Sequence, residues 1–102
     1  MLLPIHPEAL IELDHAMTWH ERERTGTGLA LLDEVSARVE HAASFPHSGS
    51  PLVGFEARHD VRKYVVRRFR YVVITALVNE VLTVVAVAHT SREPGYWRNR
   101  LV

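Results

Sequence analysis

The chain has 102 residues, 47% of them hydrophobic, and it contains no cysteine. That length favours one domain, spanning residues 1–102, and the apolar fraction is too high for a disordered tail. The missing cysteines exclude a disulfide scaffold, a zinc finger built on thiolates and a cysteine nucleophile. The sequence has neither the roughly 20 consecutive apolar residues of a membrane span nor a signal peptide, so we expect a cytoplasmic protein.

The formal net charge of zero conceals a segregation of charge along the chain. Residues 1–57 carry three basic and nine acidic side chains, a net charge of −6, whereas residues 58–102 carry nine basic and three acidic ones, a net charge of +6. Such asymmetry indicates a polar molecule with a basic working face. Eleven of the twelve basic residues are Arg, whose planar guanidinium suits carboxylate and phosphate groups.

The first half of the sequence predicts two helices. Pro7 suits the first turn of the first helix, and Gly26 and Gly28 end it. Its apolar residues recur with helical spacing at Leu10, Leu13 and Met17. Thr27 is placed to cap the second helix. The apolar positions of that helix are Leu29, Leu32, Val35, Val39, Ala42 and Ala43. Residues 45–51 are rich in helix breakers, so we expect an antiparallel helical hairpin.

The second half predicts an antiparallel meander of three strands, Val61–Phe69, Tyr71–Val78 and Val81–Ala88. Asn79-Glu80 suits a two-residue hairpin turn, because Asn tolerates positive φ. The last two strands are almost continuously apolar, which indicates central strands covered by the helices. Residues 1–6 are either a short strand or an extended lead-in. The predicted fold is therefore α+β, with the helical hairpin packed on an antiparallel sheet of three to four strands.

A basic and aromatic tail follows the last strand, at residues 89–102. With the strand before it, the tail resembles ParE-type toxins of the RelE/ParE toxin–antitoxin superfamily, which includes plasmid-stabilisation proteins. The family pattern there is an apolar strand, His, an Arg pair, Pro, and Tyr-Trp followed by Arg. The matching residues are His89, Arg92, Pro94, Tyr96, Trp97 and Arg100. The stretches His6–Leu13 and Val61–Ile74 also resemble the family, so the resemblance covers almost the whole chain.

Three residues depart from the family pattern. Arg70 stands where the family usually has Pro before Tyr, Ser91 replaces one of the usual Arg pair, and Thr75 stands where Tyr is frequent. These departures concern the choice of target more than the fold.

The resemblance implies a small cytoplasmic toxin that is neutralised by a co-encoded antitoxin protein. ParE-type toxins are linked to inhibition of DNA gyrase and are not known as enzymes. Trp, Tyr and Arg dominate the energetics of protein interfaces, and a short terminal segment can protrude. We therefore expect the tail to contact the target through Arg92, Tyr96, Trp97, Arg98 and Arg100.

The antitoxin is expected to present an amphipathic helix with acidic residues to the basic half of the chain. The residues expected to bind it are Arg62, Lys63, Arg67 and Arg68. We expect no membrane partner, and no direct DNA binding by the toxin alone.

Two other functions remain open. RelE-type relatives share the fold and cut messenger RNA on the ribosome. In that case the catalytic residues are Arg67, His89, Arg92 and Tyr96: His89 as acid or base, the arginines as phosphate ligands, and Tyr96 as a proton donor or stacking ring. Alternatively, the protein is a non-toxic partner that binds the antitoxin and tunes repression of the operon. His89 also suits a simple backbone hydrogen bond, and Tyr96 and Trp97 also suit closure of the core.

The seven histidines show no spacing typical of metal ligands. His15 and His20 are five residues apart, whereas two ligands on one helix face are four apart. We therefore expect neither a metal nor another cofactor.

Overall fold

The protein folds as two helices followed by a four-stranded antiparallel sheet, in a computed structural model that describes residues 3–102. The helices are α1 (Pro7–Glu23) and α2 (Thr27–Ser44). The strands are β1 (Ser50–Pro51), β2 (Arg62–Val66), β3 (Tyr71–Val78) and β4 (Val81–His89), and they lie side by side in chain order. The predicted α+β fold, a helical hairpin on an antiparallel sheet, is confirmed.

The helical hairpin packs on the sheet through small and branched side chains. Those buried are Ala9, Leu13, Ala16, Leu31, Val35, Val39 and Ala42. Leu10 and Leu29, which the spacing placed on the apolar faces, are instead 54% and 64% exposed, so that part of the prediction was wrong. Both helices carry apolar residues on more than one side, and the packing of α2 on the sheet buries Leu31 rather than Leu29.

The junction between the helices differs from the predicted cap. The Thr27 hydroxyl shares its one proton between two carbonyl oxygens at the end of α1, which lie 2.6 and 2.5 Å away, instead of capping α2. The carboxylate of Glu21 caps α2, since it accepts the N–H groups of Gly26 and Gly28. A Cβ on Gly28 would lie 2.8 Å from the carbonyl oxygen of Met17, so the close approach of the helices requires glycine there.

The first strand of the meander is shorter than predicted. The strand expected over Val61–Phe69 ends at Val66, and residues 67–70 form a turn in which Arg68 has a φ of +70°. The prediction extended into the turn because Phe69 continues the four-residue spacing of Val61 and Val65. The predicted turn at Asn79-Glu80 is confirmed, with both residues at positive φ as a tight hairpin requires.

The lead-in to α1 covers part of the outer edge of β4. The N–H of His6 donates to the Val84 carbonyl at 2.8 Å, and the N–H of Val84 donates to the Pro4 carbonyl at 2.9 Å. Ile5 forms an isolated parallel bridge to Val84, so residues 3–6 act as an extended lead-in with one bridge. Residues 1 and 2 of the predicted segment lie outside the described residues.

Both faces of the sheet are covered. The helices pack on one face, against Tyr64, Val66, Val73, Val84 and Val87. The tail packs on the other, where Trp97 and Leu101 contact a cluster that includes Val61, Ile74, Ala76, Val85, Ala86 and Ala88. The near-continuous apolarity of β3 and β4 follows from this double coverage, because residues of either parity meet a hydrophobic layer. The expectation that both are central strands was wrong for β4, which lies at the edge of the sheet.

Two identical substitutions on α2 test this packing. We expect Leu31→Ala to lower the free energy of unfolding by about 2–5 kcal/mol, because it leaves a cavity at a fully buried site. The matched change Leu29→Ala removes the same atoms from an exposed site and should cost about 0.5 kcal/mol or less. Urea unfolding measures both, and equal losses would show that the assigned face of α2 is incorrect.

Candidate functional site

The C-terminal tail folds back across the face of the sheet opposite the helices. It does not protrude into solvent. Trp97 is 5% exposed and stacks on Phe55 with ring centroids 6.1 Å apart, and Leu101 is buried in the same cluster. Of the two roles that the sequence left open for Trp97, closure of the core is the one that the structure shows. A chain of this size gains stability by covering the second apolar face of its sheet.

Glu12 of α1 anchors the tail. Its carboxylate accepts the Tyr96 hydroxyl at 2.5 Å and two guanidinium nitrogens of Arg100 at 3.0 and 3.1 Å. It also accepts the N–H of Val87, while Arg100 donates to the Val85 carbonyl. Side chains, rather than a further strand, thus satisfy these backbone groups of β4. Glu12 lies within the stretch His6–Leu13 that resembles the family, but its partners in the tail are 84 and 88 residues away, so the sequence did not reveal its anchoring role.

A groove of about 370 Å³ lies beside the folded tail, on the same face of the sheet. We call it the tail groove. Its apolar residues include Val72, Ile74 and Ala88 from the strands and the stacked rings of Phe55 and Trp97. Three exposed basic residues line it as well: Lys63, Arg92 and Arg98. Apolar and aromatic surface beside a few cations is typical of a binding site for an anionic and partly apolar partner.

Two arginines of the tail groove rest on aromatic rings. The Arg92 guanidinium lies 3.9 Å from the centroid of Tyr96, and that of Arg98 lies 4.4 Å from the centroid of Phe55. Arg98 also donates to the Gly54 carbonyl at 2.9 Å. Such contacts orient a guanidinium while it keeps access to solvent. Of the tail residues predicted to bind the target, Arg92 and Arg98 are exposed, whereas Trp97 is buried.

The four basic residues predicted to bind the antitoxin do not form one surface. Arg62 is 17% exposed, and it pairs with Asp60 at 3.0 Å and donates to two carbonyl oxygens of residues 47 and 49. Lys63 lies on the opposite face of β2, in the tail groove, because successive residues of a strand point to opposite faces. Arg67 and Arg68 lie in the exposed turn after β2.

Three of the four residues predicted for RNA cleavage make structural contacts: His89, Arg92 and Tyr96. The Nδ1 atom of His89 accepts the N–H of Ser91 at 3.0 Å. Burial and the hydrogen bond to Glu12 raise the pKa of Tyr96 well above its ordinary value. A phenol that is already donating its proton and is so weak an acid is poorly suited to protonate a leaving group. Arg67 lies in the exposed turn, while Arg68 and Arg70 line the cavity beside His89.

No group of three or more His, Asp or Glu side chains within residues 3–102 is placed to hold a metal ion. The buried His59 contacts the Leu77 carbonyl through Nδ1 at 2.8 Å. Over the same described range, no helix has the length and apolarity needed to cross a membrane.

Removal of the Glu12 carboxylate should release the tail. Arg100 and Glu12 are 11% and 15% exposed, so Glu12→Ala leaves a cation with little access to water and should cost about 3–5 kcal/mol of stability. Glu12→Gln keeps one acceptor and should cost less. Glu23→Ala, an exposed position of the same helix, is the control and should change little. Urea unfolding would contradict the anchoring role if the Glu12 and Glu23 variants behaved alike.

The Tyr96 hydroxyl should make the protein sensitive to alkaline pH. Its pKa is raised in the folded state, so its contribution to stability is complete below its ordinary pKa and is lost as the pH rises above about 10. We expect Tyr96→Phe to flatten this alkaline loss in unfolding experiments at stepped pH. The ultraviolet phenolate signal of the native protein should likewise lag behind that of the unfolded chain. An unchanged alkaline slope in Tyr96→Phe would refute this role.

Comparison with known proteins agrees with this architecture. A family model described as the ParE toxin of the type II toxin–antitoxin system, parDE, matches residues 3–94. The match includes both helices and all four strands and ends before Tyr96, so Tyr96 and Arg100, the two tail residues that bind Glu12, lie beyond it. A search of curated proteins finds no match. Because the match covers nearly the whole chain, the protein belongs to the ParE toxin family of type II toxin–antitoxin systems.

Proposed function

We propose that this toxin acts in the cytoplasm by binding DNA gyrase and blocking replication, and that a cognate antitoxin neutralises it. Membership of the ParE family supports the toxin role. The observation that favours binding over RNA cleavage is the Tyr96–Glu12 contact, which commits the candidate proton donor to holding the tail. The same contact holds the tail in the position that forms one side of the tail groove. Binding of a protein in this groove requires no proton transfer.

The proposed target contact is the tail groove. Arg92 and Arg98 are exposed and oriented by aromatic rings, and Val53, which is 94% exposed, also lines the groove. Exposed apolar and cationic groups together suit a protein surface that carries carboxylates. Of the other predicted contact residues, we assign Tyr96, Trp97 and Arg100 to positioning the tail.

The antitoxin is proposed to bind across β2 and into the tail groove. Lys63, Val65 and Arg67 alternate along the chain, and all three are exposed, with Val65 62% exposed between the two cations. An amphipathic segment with acidic residues complements this arrangement, because its carboxylates meet the cations while an apolar side chain covers Val65. Since Lys63 lines the tail groove, a bound antitoxin would exclude gyrase from it.

A gyrase assay on purified components tests the proposal. The wild-type protein should cause gyrase to accumulate cleaved DNA complexes, and the double substitution of Arg92→Ala with Arg98→Ala should weaken this effect by about tenfold or more, as expected for loss of interface arginines. Arg58→Ala is a control for the loss of one surface arginine, because Arg58 is exposed, is paired with Glu56 and lies outside the tail groove. Melting temperatures of all variants verify that the fold is intact.

Induced expression without antitoxin separates the three possible functions. Early arrest of DNA synthesis supports gyrase as the target. Early arrest of translation with cleaved messages would instead favour the RelE-like ribonuclease, and His89→Ala and Arg67→Ala would then be expected to abolish cleavage. Normal growth at the same protein level would favour a non-toxic partner that binds the antitoxin.

A further inference from the structure

A second surface, on the helix side of the sheet, collects aromatic rings that the proposed function does not use. Five rings form a continuous series of edge contacts: Trp19, His20, Phe69, Tyr71 and His89. Their centroids lie 4.9 to 5.9 Å apart in successive pairs, and the ring planes are inclined by 65° to 87°. We call this set the ring cluster.

Four separate segments build the ring cluster. Trp19 and His20 lie near the end of α1, Phe69 lies in the turn after β2, and Tyr71 and His89 are cross-strand partners in β3 and β4. Trp19 is 56% exposed, which is unusual for so large a ring, and the edge-to-face geometry leaves no pair stacked face to face. The other four rings are partly buried, so the aromatic surface open to a ligand is chiefly that of Trp19.

Two adjoining cavities follow the ring cluster. One, of about 470 Å³, is lined by all five rings together with Arg68 and Arg70. The other, of about 330 Å³, shares Trp19, Tyr71 and His89 and is also lined by Arg92. Glu12 contributes the carboxylate that lines the second cavity, and it is already compensated by Arg100. The rings are thus accompanied by arginines in both cavities.

We propose that the ring cluster binds a short single-stranded segment of nucleic acid. Bases that are not paired in a duplex stack on exposed aromatic rings, and every base can do so whatever the sequence. Trp19 and Tyr71 supply the stacking surface, while Arg68, Arg70 and Arg92 supply guanidinium groups for the phosphates. Two cavities that share three of the rings, Trp19, Tyr71 and His89, suit a ligand that repeats a base and a phosphate.

An acidic peptide explains these features less well. Carboxylates would satisfy the arginines, but the concentration of five rings at one end of the sheet has no counterpart in a charged peptide. The proposal departs from the expectation that the toxin alone binds no DNA. The rings come from segments that are far apart in the sequence, and only the fold brings them together. It goes beyond the gyrase contact. The two surfaces share His89 and Arg92, but Trp19, Arg68 and Arg70 do not line the tail groove, so substitutions at these three residues test the ring cluster separately.

The test measures binding of fluorescently labelled oligonucleotides of about eight residues, a length within the range that such sites cover. Oligo(dT) and oligo(U) distinguish DNA from RNA as the source of the strand. We expect saturable binding that weakens as salt is raised, accompanied by quenching of the exposed Trp19, whereas Trp97 is buried.

Variants locate the binding site. Trp19→Ala, and separately the pair of Arg68→Ala with Arg70→Ala, should each weaken binding by about tenfold. Trp19→Phe keeps a ring and should recover most of the loss. Arg58→Ala removes one exposed cation elsewhere on the surface and should have little effect, so it controls for net charge.

Three results would overturn the proposal. A duplex of the same length that binds as tightly as the single strand would show attraction by charge without stacking. Arg58→Ala as damaging as the Arg68 and Arg70 pair would show that no defined site exists. The third result is that the wild-type protein binds no oligonucleotide but does bind an acidic peptide, and that Trp19→Ala abolishes peptide binding. This result would assign the ring cluster to a protein partner.

Discussion

The carboxylate of Glu12 is the contact on which the tail and the site beside it depend. It accepts hydrogen bonds from Tyr96, from Arg100 and from the backbone of Val87, and it thereby joins α1, the outer edge of β4 and the end of the chain. The tail is held on the sheet face where Trp97 and Leu101 close a second hydrophobic layer. Without this ion pair, an arginine with little access to water would lack its counter-charge.

This arrangement divides the tail residues into two groups. Tyr96, Trp97 and Arg100 face inward and position the segment, whereas Arg92 and Arg98 lie on aromatic rings and stay exposed. A single short pattern of aromatic and basic residues therefore serves folding and, in the function proposed here, recognition. The division explains how a tail that looks like a contact segment can also be part of the core.

The end of β4 connects the two proposed binding surfaces. His89 and Arg92 line the tail groove, and they also line cavities on the side of the sheet that faces the helices. Both surfaces are basic because the strands and the tail belong to residues 58–102, the half of the sequence with a net charge of +6. Partners of either surface are accordingly expected to be anionic.

The sequence by itself determined the two helices, the meander and its Asn79-Glu80 turn, because periodicity and turn chemistry depend on neighbouring residues. It also singled out the tail as a concentration of aromatic and basic residues. Only the tertiary structure decided that Leu29 is exposed, that Arg62 is held by Asp60 and that the tail folds inward. These outcomes depend on contacts between residues far apart in the chain, such as Glu12 with Arg100, which no local pattern contains. The ring cluster arises in the same way, from segments that meet only when the helices pack on the sheet.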